Sequence, residues 1–342
     1  MVVAVSGACT YVSSAKVRVA MPVTQGRSRS STRSTTAGIS KNFPPRHREA
    51  DRMIVIAGAT GTIGREVVHL LTTRTTPFRA LSRTPTLSAP PPPPISPPRS
   101  PLPLPPPPSP PPSPSIPPLP PPGSWVRGDH TDPASLDAAF TGASALFLLG
   151  PGTDVMPAYD RALLDAAERA GIRRVVKLSV MPVGPITELH RPGEERTRTF
   201  PEWTVLRPSL FASNSLQWAP LIAAGEPVPN PMGEVELGVV DPRDVAEVAV
   251  AALTGDHHGR TYTLTGPELL STPAQAAILS RVLNRQVSTV DIPLESLDPN
   301  LAKAVAAVRT GEGSITTTHV PDILGRPARD YTTWARDRYP TT

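Results

Sequence analysis

Val55-Ile56-Ala57-Gly58-Ala59-Thr60-Gly61-Thr62-Ile63-Gly64-Arg65-Glu66-Val67-Val68 reads as a buried strand, a glycine-rich turn and the start of an amphipathic helix. The glycines are spaced G-x-x-G-x-x-G, and each has a mechanical job. Gly58 lets the chain turn off the strand, Gly61 lets backbone approach a pyrophosphate, and Gly64 lets the helix pack closely on the strand. The helix start then offers free N–H groups and a positive dipole end to phosphates. The flanks fit, with apolar Met53 to Ile56 before the turn and Val67, Val68, Leu70 and Leu71 after it. Gly58, Thr60, Gly61, Thr62, Ile63 and Gly64 are therefore the expected dinucleotide loop.

Outward from this unit, strands and helices alternate. Phe78 to Leu81, Trp125 to Asp129, Ala145 to Leu149, Arg174 to Ser179 and Trp203 to Leu206 read as further strands. Asp132-Pro133 is a helix start, with Asp as N-cap and Pro in the first turn. A helix from about 156 to 170 should stop at Gly171. Such alternation predicts an α/β fold with a parallel, doubly wound sheet. The second half shows helices near 242–253, 273–283, 295–309 and 328–338, with strands at 261–265 and 287–292. These should form a small α+β lobe, mainly 210–240 and 266–342, over the carboxyl edge of the sheet, where ligands bind in such folds.

Two segments stand apart. Residues 1–52 carry nine Lys or Arg against Glu49 and Asp51, a net +7. Three readings stay open for them: a disordered basic tail, an organelle transit peptide, or an extension upstream of a natural start at Met53. From Pro90 to Pro122, 22 of 33 residues are proline. That composition excludes helix or central strand and favours polyproline II, on the order of 100 Å if extended. Its flanks belong to one sheet, so 88–123 is expected as an insertion within the 53–342 domain. An SH3-type ligand role for its Pro-x-x-Pro spacings stays open.

Charge and cysteine usage exclude several classes. The whole chain is +5 and the tail +7, so residues 53–342 carry −2, which gives no drive toward nucleic acid. Cys9 is the only cysteine, so residues 53–342 hold no disulfide, thiol nucleophile or thiolate metal site. No apolar run reaches transmembrane length. A cytoplasmic protein is expected, with the organelle alternative resting on the tail; no metal is expected, and a homodimer stays open.

The nucleotide preference is read at the end of the second strand. NAD sites usually place an acid there, yet none occurs between Glu66 and Asp129. The segment reads Arg79-Ala80-Leu81-Ser82-Arg83. Arg83 can meet a 2′-phosphate with its planar fork, and Ser82 can add a hydrogen bond. NADP(H) is expected over NAD(H), and Arg79 reads as an ordinary surface charge.

Several segments together resemble one family: Ile54 to Gly64, Arg127-Gly128-Asp129, Val175 to Ser179, Trp203 to Pro208, Val240-Asp241-Pro242-Arg243-Asp244-Val245-Ala246 and Tyr262 to Pro267. The chain resembles the NmrA-like branch of the atypical short-chain dehydrogenase/reductases, nearest the NAD(P)H:quinone oxidoreductase-like subgroup. The resemblance implies a Rossmann domain with a small C-terminal lobe. It places Asp129 near the adenine, and Leu148, Leu149 and Gly150 along the cofactor. Ser179, a candidate catalytic residue, would face nicotinamide and substrate, with Phe211 and Asn214 in the substrate pocket. No Tyr-x-x-x-Lys pair occurs anywhere in the chain, unlike standard reductases. Related enzymes use a Lys in the loop after the fifth strand. Here that neighbourhood holds His190, the one side chain there expected to titrate near neutrality, and so the candidate proton donor beside a plain surface histidine. Lys177 reads as a packing or pairing residue of the strand. Trp203, Phe211 and Trp218 could line an apolar pocket or simply fill the core.

Two functions follow from the resemblance. One is hydride transfer from NADPH to a small quinone or conjugated carbonyl, which asks little acid–base chemistry of the protein. The other is a non-catalytic NAD(P)-sensing regulator, the role from which the family name derives.

Overall fold

The computed structural model describes residues 53–84 and 124–339; the basic tail and the proline-rich run lie outside the described residues. The chain opens with β1 (Ile54–Ile56), α1 (Thr62–Thr73) and β2 (Phe78–Ser82), then resumes with β3 (Trp125–Arg127), α2 (Pro133–Phe140) and β4 (Ala145–Leu149). It continues through α3 (Met156–Arg169), β5 (Arg174–Leu178), α4 (Ile186–Thr197) and β6 (Glu202–Pro208). A 3-10 turn (Ala212–Trp218) leads to α5 (Ala219–Ala224), β7 (Val228–Asn230), β8 (Leu237–Gly238), α6 (Pro242–Thr254) and β9 (Arg260–Leu264). The last elements are β10 (Leu269–Leu270), α7 (Thr272–Val282), β11 (Thr289–Asp291), α8 (Pro299–Arg309), α9 (His319–Leu324) and α10 (Tyr331–Arg338).

Seven strands form one parallel sheet in the order β3-β2-β1-β4-β5-β6-β9. This is the doubly wound Rossmann order, with β9 added beside β6. Alternation along β1 sends Ile54 and Ile56 into a core shared with α1, α6 and α9, and Val55 into a core shared with α2 and α3. Both faces are covered, which is why the central strands are almost wholly apolar. The α1 stripe of Ile63, Val67, Val68 and Leu71 is buried against α6. Asp132 caps α2 by accepting from Ser135 N, and Asp241 caps α6 by accepting from Arg243 N. Gly171 follows α3 in the left-handed region, φ +72°. A separate core joins the 3-10 turn, α5, α7 and α10 around Trp218, Leu279, Tyr331 and Trp334.

The largest departure from expectation is α4. The segment Ile186 to Thr197 is helical although Pro192-Gly193 interrupts it. The expected surface loop around His190 is a buried helix face. Lys177 does pair, but deep in the interior rather than at the sheet surface. Its Nζ donates to Asp160 Oδ2 over 2.6 Å, and both side chains are inaccessible. No helix among the described residues is long and apolar enough to cross a membrane.

Candidate nucleotide-binding groove

The carboxyl ends of β1, β2, β4 and β5 open onto one groove of about 410 Å³. Its floor is the glycine loop. Gly58 adopts φ +72°, and a Cβ there would sit 2.8 Å from Leu149 O, so the turn needs glycine on both counts. A Cβ at Gly64 would lie 2.1 Å from Gly58 O, so the first turn of α1 rests directly on the loop. Gly61 is the N-cap of α1, with no side-chain cap and no acid in the first turn. The helix start therefore presents N–H groups without a side-chain cap and a positive dipole end, both of which favour an anion. Arg65 Nε donates to Thr60 O over 2.8 Å and fixes the loop from behind.

Arg83 lines the rim and is exposed, and among the described residues it makes no ion pair. Ser82 Oγ is engaged locally, donating to Thr84 O over 3.0 Å and accepting from Thr84 N over 3.2 Å. Arg79 is not a bystander: its Nη1 donates to Ala139 O and Thr141 O at the end of α2, over 2.8 and 2.6 Å. Asp129 accepts from Thr131 N and Oγ1, which hold its carboxyl below the usual range. Its neighbours Gly128 and His130 line the groove, but Asp129 does not. Leu149, Gly150, Leu178, Phe211, Ser213 and Asn214 complete the lining, with Leu149 directly beside Gly58.

Gly58, Thr60, Gly61, Thr62, Ile63, Ser82, Arg83, Leu149, Gly150, Phe211 and Asn214 thus meet around one groove. Gly64 supports the groove from beneath, and Leu148 points into the core below α3. Ser179 and His190 are not among the lining residues. Ser179 Oγ donates to Glu194 Oε1 over 2.5 Å. Glu194 is clamped by Arg207 through Nε (2.9 Å) and Nη2 (2.6 Å), and by Arg198 Nη2 (2.9 Å). These donors outweigh its burial and bring its carboxyl down to about 2. His190 does not titrate near neutrality: burial, reinforced by Lys177, brings it down to about 3. Its Nδ1 and Asp160 Oδ1 are buried without a partner among the described residues. Burial pushes the Asp160 carboxyl up, against the pull of Lys177.

Pro151, Val155, Tyr159 and Leu178 also line the groove and were missed in the sequence. Pro151 and Leu178 had a positional signal, at or just beyond the carboxyl ends of β4 and β5, where parallel sheets bind ligands, whereas Val155 and Tyr159 come from the start of α3. The residues fit a dinucleotide phosphate on structural grounds alone. Gly58 and Gly64 admit no side chain, the helix start has no side-chain cap, and Arg83 stands at the rim with no ion pair among the described residues.

The NmrA-like family model matches residues 50–312. A (4-alkanoyl-5-oxo-2,5-dihydrofuran-3-yl)methyl phosphate reductase of Streptomyces griseus is 33% identical over 305 residues, 83% of this chain and 97% of that protein. An NAD(P)H azoreductase of Xenophilus azovorans is 30% identical over 306 residues, 83% of this chain and 97% of that protein. An NADPH-dependent quinone oxidoreductase of Escherichia coli, solved with NADPH, superposes with TM-score 0.65 at 20% identity, covering 83% of this chain and 98% of that one. At that identity the match speaks for the fold. With the family model spanning most of the sequence and two reductases aligned along nearly their full lengths, the chain belongs to the NmrA-like family.

Proposed function

We propose that the chain is an NADPH-dependent reductase acting on a small quinone or conjugated carbonyl. The observation that carries this reading is a single groove whose lining joins the uncapped start of α1 to apolar side chains such as Leu149, Leu178 and Phe211. Gly58, Gly61 and the N–H groups of Thr62 and Ile63 would hold the pyrophosphate, and Arg83 the adenosine phosphate. A bound reduced dinucleotide supplies the hydride. Leu178 and Phe211 supply apolar surface against an acceptor ring, and Asn214 is a polar side chain of the lining that can orient an acceptor oxygen. The names of the relatives support the acceptor class: one reduces an unsaturated lactone carrying an acyl group, and another is an NAD(P)H azoreductase. No step is assigned to His190, which is neutral and buried, or to Ser179, whose proton points to Glu194. The proton for the reduced acceptor comes from solvent.

The absence of Ser179 and His190 from the groove lining favours the second reading, a non-catalytic NAD(P)-sensing regulator. One experiment separates them: oxidation of NADPH and NADH by the purified chain against a panel of quinones and enones. The reductase reading expects saturable turnover. It also expects Arg83→Ala to raise KM for NADPH roughly 10- to 100-fold while leaving NADH unchanged. Binding without turnover across the panel transfers the assignment to the regulator.

A further inference from the structure

Helix α10 holds both walls of the groove without lining it. Toward one wall, Tyr331 Oη donates to Ser215 Oγ over 2.7 Å, and Tyr339 Oη to the Ser215 carbonyl over 2.5 Å. Ser215 Oγ in turn donates to Ala212 O over 2.9 Å. Ser215 is buried and directly follows Ser213 and Asn214, which line the groove. Toward the other wall, Arg338 Nη2 donates to Glu66 Oε1 over 2.6 Å. Glu66 lies on α1, about one turn from the helix start that faces the groove. Trp334 stacks on Tyr331 at 5.4 Å and meets Tyr339 edge-on at 5.9 Å, so the aromatic contacts form one packed unit. Asp337 adds a tie to Arg243 at the start of α6, over 2.6 Å.

Packing alone does not require this chemistry. Phenylalanine would fill the same volume as either tyrosine. Two buried phenol hydroxyls converging on one serine specify where a backbone turn sits, and a charged pair fixes α1 from the same helix. Binding walls need placement within a fraction of an ångström to act together.

We infer that α10 and Tyr339 form a clamp, with Ser215, Tyr331, Tyr339, Glu66 and Arg338 as positioning residues that set Asn214 opposite the glycine loop. The inference rests on the nucleotide reading of the groove. It gives the two ends of the clamp different kinetic signatures. Tyr339→Phe and Ser215→Ala should act through Asn214, lowering kcat and raising KM for the quinone while leaving the Kd for NADPH unchanged. Arg338→Gln should act through α1, raising the Kd for NADPH about tenfold. The exchanged pair Glu66→Arg with Arg338→Glu should recover most of that loss, although either single change does not.

The experiment is calorimetric NADPH binding to the full chain, then steady-state kinetics and melting temperature for each variant. The split of constants with rescue by the exchanged pair supports the clamp. A fall in melting temperature with unchanged Kd, KM and kcat in the folded protein overturns it and makes α10 only structural. Absence of NADPH binding by the wild-type chain overturns the nucleotide reading and the clamp with it.

Discussion

Ser179, one residue past β5, donates its hydroxyl proton to Glu194 in the second half of α4 over 2.5 Å. The acceptor is an ionised carboxylate already held by two arginines. The hydroxyl is thereby turned toward the helix, and its proton is committed there. Ser179→Ala is expected to lower turnover far less than the roughly 100-fold or more that follows loss of a general acid. Steady-state kinetics at fixed, saturating NADPH measures this.

Glu194 predicts an acid-side loss of stability. Its folded value of about 2 lies below the ordinary carboxyl value of 4.5, so the unfolded chain binds the proton more readily. The contribution is fully present above about pH 4.5 and lost as pH falls toward 2. Urea midpoints of the wild type should drop across that window, and those of Glu194→Gln should start lower and drop less.

His190 acts over a higher window. It is neutral in the fold down to about pH 3, whereas an unfolded histidine takes a proton near 6.5. Stability should therefore fall with pH from about 6.5 to 3, by up to about 1.4 kcal/mol per pH unit. His190→Leu should flatten the upper part of this slope, where Glu194 contributes nothing. Denaturant midpoints between pH 7 and 5 separate the two residues.

The buried pair of Lys177 and Asp160 predicts strong coupling. Lys177→Met should destabilise by roughly 3–5 kcal/mol, because it strands a buried carboxylate. Lys177→Met with Asp160→Leu should recover most of that loss, since neither charge then remains. Chemical denaturation of the two single variants and the double variant gives the coupling energy.

The glycine loop predicts opposite behaviour at two positions. Gly64→Ala would drive a Cβ to 2.1 Å from Gly58 O, and should cost roughly 1–3 kcal/mol or more as α1 shifts. At Gly61 the nearest atom to a new Cβ is 3.4 Å away, so Gly61→Ala should fold with little loss. Its effect should appear instead as weaker NADPH binding. Melting temperature together with Kd distinguishes a packing glycine from a ligand-facing one.

The glycine loop, the parallel alternation and the Asp132-Pro133 cap were legible because each depends on local backbone demands. Gly58 and Gly64 do in the structure what their spacing implied. Helix α4 was hidden because Pro192-Gly193 reads locally as a breaker. Its glycine is required by distant partners: a Cβ at Gly193 would meet Asp160 Oδ2 at 2.1 Å and Lys177 Cε at 2.8 Å. The tertiary approach of α4 to α3 and β5 overrides the local preference. The same approach buries His190, whose polar neighbours in sequence suggested exposure. Arg79 was misjudged for a related reason, since its partners are carbonyls about 60 residues away.

The bond between Glu66 and Arg338 joins residues separated by 272 positions. At about 5–20 residues per second, a ribosome needs on the order of tens of seconds between making one and making the other. During that interval Glu66 has been made but the arginine that holds it has not. The bond that ties α1 to α10 is consequently among the last to become possible, and the groove is completed only near the end of translation.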